Sequence, residues 1–109
     1  MANTAYKAIA HPVRRTIIER LSDGPATVGQ ATRDLGLSKS GISKHLKVLE
    51  EAGVVSRVID GRTHRLSLDV GPLEEASAWL ELQRSRWTQM LDTLEAYVAE
   101  KRQTEGRKA

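Results

Sequence analysis

The fold of this chain is decided by residues 37–54, LSKSGISKHLKVLEEAGV. Ile42, Leu46 and Leu49 recur at i, i+4 and i+7, which predicts one apolar stripe along a helix. Ser38 is a favoured N-cap residue, and Gly53 can adopt the left-handed conformation that closes a helix. The pattern therefore predicts a helix of about four turns, at about residues 38–52.

Serines and lysines share the face opposite this stripe. Lys39, Lys44 and Lys47 follow one another without an acidic residue between them. Short hydroxyl side chains let a backbone approach a groove closely, and lysines reach phosphates and base edges, so the face suits DNA. On this helix alone a merely hydrated lysine face is an equally good interpretation, and the neighbouring segments favour DNA. We call this predicted helix the recognition helix.

Length and composition limit the class of protein. The chain has 109 residues, no cysteine and a net charge of +3, with a pI near 9.5. These values predict one small domain with a polyanionic partner, and they exclude disulfides and thiolate metal sites. No apolar run approaches the roughly 20 residues that cross a bilayer, and no signal peptide is recognised. The expectation is a soluble, cytoplasmic protein without a membrane partner.

Three helices are predicted before the recognition helix. The first covers residues 3–10, and the second begins at Pro12, with Arg14 and Arg15 in its first turn, where the macrodipole disfavours cations. Thr27 begins a third helix that Gly36 is predicted to end. Only Leu37 separates Gly36 from Ser38, the N-cap of the recognition helix. Two helices joined by such a tight, glycine-containing turn predict a helix-turn-helix.

After Gly53 the pattern of apolar residues changes from a helical period to one typical of extended strands. The runs VVSRVID and THRLSLD flank Gly61 and Arg62, which predicts a β-hairpin at about residues 54–69, here called the wing. Between Lys39 and Arg65 six lysines and arginines face three acids, an excess equal to the net charge of the whole chain. A basic hairpin that follows the recognition helix predicts a winged helix-turn-helix, with the wing on DNA backbone or minor groove.

The last segment predicts a long helix with more apolar surface than its own domain can cover. Leu73, Leu80, Trp87 and Leu94 recur every seven residues, so the helix covers about residues 72–100 and about 40 Å. Burial against a second copy is favoured over folding back on the same chain. The basic tail at 101–109 is predicted to fray. The predicted dimer interface is Tyr6, Ile9, Leu73, Leu80, Trp87, Met90, Leu91, Leu94, Tyr97 and Val98.

Three runs together carry a family resemblance: HPVRRTIIERL, LGLSKSGISKHLKVLEEAGVV and GRTHRLSL. With the long terminal helix they resemble the ArsR/SmtB family of bacterial winged-helix repressors. The resemblance implies a homodimer that occludes a promoter and dissociates when an inducer, here of unknown chemistry, binds. It implies that residues early in the recognition helix read the major groove while the wing lies near the backbone. The predicted contacts with double-stranded DNA are Ser38, Lys39, Ser40, Gly41, Ser43, Lys44, Lys47, Arg57, Arg62, His64 and Arg65.

The sequence departs from the family's metal sensors. Their cysteines lie on the helix before the recognition helix, and the matching residues 30–35 contain none. Another family site uses Asp and His on the terminal helix, whereas His11, His45 and His64 all precede that helix. A metal site needs three or four converging donors. The chain therefore resembles the non-metal branch, with no metal and no cofactor expected, and His45 is predicted to be structural.

The sequence thus predicts a mainly α protein with a small β-hairpin (α+β), a single winged helix-turn-helix domain over residues 1–109. Its predicted function is sequence-specific regulation of transcription, as a homodimeric repressor on a palindromic operator. No nucleophile with a base, carboxylate pair or phosphate loop indicates an enzyme. One rival is a winged-helix protein-interaction module without specific DNA binding. Another is a MarR-like winged helix, although those proteins usually run longer and match this wing less well.

Overall fold

The computed structural model describes the backbone of residues 2–108 and the side chains of residues 3–106. Two compact units divide between Ala76 and Ser77, and the single domain over residues 1–109 stays a prediction. The elements, in chain order, are α1 (Ala2–Ile9), α2 (Pro12–Ser22), β1 (Ala26–Thr27), α3 (Val28–Ala31), α4 (Lys39–Glu51), β2 (Val55–Asp60), β3 (Thr63–Leu68) and α5 (Gly71–Lys108).

The recognition helix is α4, and both of its ends are set by local contacts. Ser38 Oγ accepts from the Gly41 backbone N–H at 3.1 Å. At the other end Gly53 has φ +72°, its N–H donates to Glu50 at 3.0 Å and the Val54 N–H donates to Leu49 at 3.1 Å. This pair of bonds is a Schellman closure at the glycine that the sequence predicts to end the helix, so both predicted ends are confirmed.

The apolar stripe of α4 lies in the core of the first unit. Leu46 is 2% exposed and Leu49 is 0% exposed, and they share that core with Ile17 of α2, Val54 and Leu66 of β3. Burial of such side chains contributes about 1.5–3 kcal/mol each. The predicted inward face of the recognition helix is therefore confirmed.

The wing is part of a three-stranded antiparallel sheet with the order β1-β3-β2. β2 and β3 pair from Val55 opposite Leu68 to Asp60 opposite Thr63, and Gly61 in the turn has φ +62°. β1 adds a third strand, with Ala26 opposite Leu66. The hairpin is as predicted, but two residues are too few to show an alternating pattern, so β1 was missed.

The helix before the recognition helix is shorter than predicted. Thr27 forms the predicted capping box, since its Oγ1 accepts from the Gln30 N–H at 3.2 Å and its N–H donates to Gln30 Oε1 at 3.0 Å. The helix nevertheless ends at Ala31. Asp34 takes the left-handed conformation, with φ +58°, which a continuing helix does not allow. The prediction that Gly36 ends this helix is therefore wrong.

Arg14 and Arg15 bind the end of the preceding helix. Arg14 donates to the carbonyls of Ala8 at 3.0 Å and Lys7 at 2.6 Å, and Arg15 donates to that of Ile9 at 2.8 Å. The last carbonyls of α1 form the negative end of its dipole, so cations are favoured there. This contact explains two arginines that are unfavourable for α2 itself.

The terminal helix α5 begins at Gly71 and continues to Lys108, whereas the sequence predicted an end near Glu100 and a frayed tail. Thr104 Oγ1 donates to the Glu100 carbonyl at 3.1 Å, within a stretch of good helix formers such as Lys101 and Arg102. The helix therefore extends beyond the predicted end near Glu100 as far as Lys108, the fraying of the tail stays a prediction, and Ala109 lies outside the described residues. Over the part that the structure describes, no helix is both long and apolar enough to cross a bilayer.

Candidate nucleic-acid interface

The outer face of α4 is polar and open to solvent. All but one of its predicted DNA contacts, counting the capping Ser38, are exposed: Ser38, Lys39, Ser40, Ser43, Lys44 and Lys47. The exception, Gly41, is half-buried, and a Cβ at this position would lie 3.4 Å from Ser38 Oγ and 3.7 Å from Leu37 Cβ. The face therefore presents short hydroxyls between lysines, as the sequence predicts.

The lysines of this face are not neutralised inside the first unit. Among residues 3–106, no ion pair involves Lys39 or Lys44. Lys47 lies 3.9 Å from Glu51, with side chains 76% and 60% exposed. Such an exposed pair contributes little and is easily exchanged for another anion. The positive charge of α4 is thus available to a polyanion.

The wing and the start of α4 line one cleft. Its walls are formed by Thr27, Val28, Gly29, Lys39, Arg57, Arg62, Thr63 and His64. The structure therefore brings Lys39 together with three of the predicted wing residues. Arg65 is exposed on β3 opposite Val58, and Arg62 is also exposed.

Arg57 differs from the other predicted wing contacts because an acid already binds it. Its Nε donates to Glu50 Oε1 at 2.7 Å and its Nη2 donates to Glu50 Oε2 at 3.2 Å. Its Nη1 lies 3.0 Å from His64 Nδ1. The sequence prediction missed this network, since Glu50 and Arg57 lie on different elements and no helical or strand spacing relates them.

A pair of histidines anchors α4 to the start of α2. The rings of His11 and His45 lie 4.4 Å apart between centroids, and Arg14 Nη1 lies 3.2 Å from His45 Nδ1. Arginine has only donors, so this nitrogen accepts and carries no proton. Burial lowers the pKa of His45 below its ordinary value, and the nearby His11 and Arg14 lower it further. The contacts fit the prediction that His45 is structural.

The residues predicted to form a dimer interface divide between the two units. In the first unit Tyr6, Ile9 and Leu73 are half-buried, and the Tyr6 hydroxyl donates to the Ala76 carbonyl at 3.4 Å. In the second unit the predicted residues are exposed by between 38% and 60%: Leu80, Trp87, Met90, Leu91, Leu94, Tyr97 and Val98. This second group, which we call the apolar face of α5, is the larger uncovered surface. In the described part of the chain, no group of three or more His, Cys, Asp or Glu side chains could hold a metal ion.

Known proteins match this arrangement. The family described as a helix-turn-helix domain matches residues 9–58. The HTH-type transcriptional regulator Rv2034 of Mycobacterium tuberculosis is 40% identical over 87 residues, which cover 80% of this chain and 78% of that protein. The transcriptional repressor SdpR of Bacillus subtilis is 35% identical over 78 residues, covering 72% of this chain and 87% of that protein.

A solved structure extends the match to the fold. The crystal structure of an ArsR family transcriptional regulator has a TM-score of 0.74 and 31% identity, and the match covers 79% of this chain and 94% of that one. The predicted winged-helix fold class is confirmed by this similarity. The relatives of this chain are regulators of transcription, which confirms the prediction that the chain is not an enzyme.

Proposed function

Because the chain belongs to the ArsR family of winged helix-turn-helix transcriptional regulators, we propose that it is a homodimeric repressor of a palindromic operator. The observation that carries this proposal is the outer face of α4. That face presents exposed serines and lysines above a helix whose inner face is fixed in the core, and among residues 3–106 no ion pair involves Lys39 or Lys44. A rigid helix with such a surface fits the major groove of double-stranded DNA.

We assign the residues of this surface to two roles. Ser40, Ser43 and Lys44, on the first turns of the helix, are placed to read base edges, and Gly41 permits a close approach. The remaining cations are placed to bind phosphates: Lys39, Lys47, Arg62 and Arg65. Ser38 acts mainly as the helix cap, because its hydroxyl already accepts from Gly41.

The dimer in this proposal is formed through α5. An uncovered stripe that contains Trp87 at 60% exposed and Leu94 at 54% exposed is stabilised when a second copy covers it. The other residues that this proposal assigns to the dimer lie in the first unit: Tyr6, Ile9 and Leu73. Two-fold symmetry then directs two recognition helices to major grooves about 34 Å apart, which requires a palindromic site.

The remaining features of the proposal follow from its role. A repressor of this kind acts on chromosomal DNA, which places it in the bacterial cytoplasm. We place the chain in the non-metal branch of the family, since it has no cysteine to act as a thiolate sensor. The release signal in this proposal is an inducer of unknown chemistry.

The proposal is tested by selection from the genomic DNA of the source organism. The purified full chain is mixed with fragmented DNA at physiological salt, and the recovered fragments are sequenced. We expect enrichment of a palindromic site, and a Ser40→Ala, Lys44→Ala variant should lose that enrichment while it still binds DNA weakly. Equal recovery of all fragments, or of none, would instead favour the protein-interaction module.

A further inference from the structure

A single arginine links the recognition helix to the wing. Glu50 lies in the last turn of α4, and its two carboxylate oxygens accept from Arg57 of β2 at 2.7 and 3.2 Å. The side chains of Arg57 and Glu50 are only 26% and 30% exposed. A two-pronged arginine–carboxylate contact fixes the relative orientation of its partners and is stronger than a single hydrogen bond.

His64 extends this link to the second strand of the wing. Its Nδ1 lies 3.0 Å from Arg57 Nη1. Because arginine cannot accept a hydrogen bond, Nδ1 is the acceptor and the ring proton is on Nε2. His64 lies on β3 opposite Ile59, so the three side chains connect α4, β2 and β3. We call them the wing clamp: Glu50, Arg57 and His64.

The wing clamp separates Arg57 from the other arginines of the wing. Arg62 and Arg65 are exposed, and no ion pair involves either of them among residues 3–106. Arg57 is half-buried, and three of its five N–H donors face Glu50 and His64. A movement toward a phosphate that broke the contact with Glu50 would leave a half-buried carboxylate without these hydrogen bonds, which is unfavourable. Its place in the structure fits a fixed link better than a contact with DNA.

We propose that Arg57 is a positioning residue, which with Glu50 and His64 holds the wing at a fixed angle to the recognition helix. The exposed arginines of the wing then reach phosphates at a set distance from the major groove. This inference rests on the proposed function, because it concerns how two DNA-binding elements are aligned. It removes Arg57 and His64 from the set of direct DNA contacts that the sequence predicts.

Neutralising Glu50 distinguishes an Arg57 that positions the wing from an Arg57 that binds a phosphate. If Arg57 bound a phosphate, Glu50→Gln would remove a competing negative charge and strengthen DNA binding. If Arg57 positions the wing, Glu50→Gln weakens binding to the selected operator by about tenfold. The matched control is Glu51→Gln, on the next residue, whose exposed carboxylate lies 3.9 Å from Lys47. Affinities are compared by fluorescence anisotropy, and an operator affinity of Glu50→Gln at or above that of Glu51→Gln would overturn the proposal.

A conservative change at Arg57 gives the second comparison. Arg57→Lys keeps the positive charge but cannot form the two-pronged contact with Glu50. We expect it to lose about as much operator affinity as Glu50→Gln, with the salt dependence of binding nearly unchanged. The double variant should bind no more weakly than either single variant, since both break one link. Fully additive losses would show that the two residues act separately.

The position of the wing can also be measured without DNA. The chain has no cysteine, so Lys44→Cys and Arg62→Cys provide unique sites for two spin labels, one on α4 and one on the wing. Labelled protein is diluted with unlabelled protein, and the distance distribution is measured by pulsed electron resonance. We expect a narrow distribution that broadens after Glu50→Gln and stays narrow after Glu51→Gln. An unchanged distribution after Glu50→Gln would overturn the wing clamp, whereas failure to select an operator would overturn only the proposed function.

Discussion

The recognition helix and the terminal helix both carry an apolar stripe, but only the stripe of the recognition helix is covered within the chain. In α4 the stripe is covered, with Leu46 2% and Leu49 0% exposed. In α5 it stays uncovered beyond Ala76, with Leu94 54% and Trp87 60% exposed. The stripe of α4 is therefore covered by its own unit, whereas the stripe of α5 is left as an exposed apolar surface, which the proposed dimer covers.

The largest expected change in stability is at the covered stripe. Leu49→Ala should lower the free energy of unfolding by about 2–5 kcal/mol, because it removes buried methyl groups and leaves a cavity. Urea unfolding followed by circular dichroism measures the change. The loss at Leu49 should not depend on protein concentration, whereas a loss after Leu94→Ala should, since that side chain is covered only in the dimer. If the losses of stability in Leu49→Ala and Leu94→Ala depended equally on protein concentration, the contrast between the covered and the uncovered stripe would not hold.

A charge on the uncovered stripe should separate the dimer. Leu94→Asp places a carboxylate in the proposed interface, so we expect monomers by light scattering and a loss of operator affinity of about a hundredfold or more. Ala96→Asp is the matched control, because it places the same group on the opposite side of the helix. A Leu94→Asp protein that is still dimeric would locate the interface elsewhere.

Sequence discrimination should depend on the outer face of α4. Lys44→Ala is expected to cost about 1–3 kcal/mol of binding and to relax specificity at one base pair, since this residue is assigned to a base edge. Arg62→Ala, on the wing, should instead weaken binding to all sequences and lower the salt slope by about one unit. Binding is measured on the operator and on single-base variants at several salt concentrations. A uniform loss after Lys44→Ala would reassign it to a phosphate.

The smallest expected effect is a pH dependence of stability at the inner side of α4. Burial beside His11 and Arg14 lowers the pKa of His45 from its ordinary 6.5. The unfolded chain then binds this proton more readily than the folded chain, so the free energy of unfolding falls as the pH falls below about 6.5 and is regained above it.

His45→Asn tests this effect directly. Its side-chain oxygen can still accept from Arg14 but does not titrate in this range. Melting temperatures between pH 7.5 and 5.5 should therefore fall less steeply for His45→Asn than for the unchanged chain. If melting temperature fell equally steeply with pH in both proteins, His45 would not contribute to the pH dependence of stability.

Local signals made the recognition helix and the wing predictable. Ser38 and Gly53 define the ends of α4 through contacts within a few residues, and Gly61 defines the turn of the hairpin. The same holds for the exposure of Lys39 and Lys44, because helical spacing determines which face they occupy. Most of the candidate site could thus be predicted from short-range patterns.

Contacts between different helices and strands were not predictable. β1 exists only because Ala26 and Thr27 pair with β3. Arg14 is unfavourable in the first turn of α2, and its carbonyl partners lie in α1. The sequence pattern assigned Arg57 to DNA, although Glu50 already binds it. In these cases the partner lies on another element, and neither helical nor strand periodicity carries that information.

The spacing between the two halves of the operator tests the contrast between α4 and α5 most directly. In a dimer joined through α5, the two recognition helices must lie on the same side of DNA, one helical turn apart. Inserting about five base pairs, half a turn, at the centre of the selected palindrome should therefore abolish tight binding, as measured by fluorescence anisotropy. Unchanged affinity for the lengthened site would mean that each chain binds alone, which would contradict the proposed dimer.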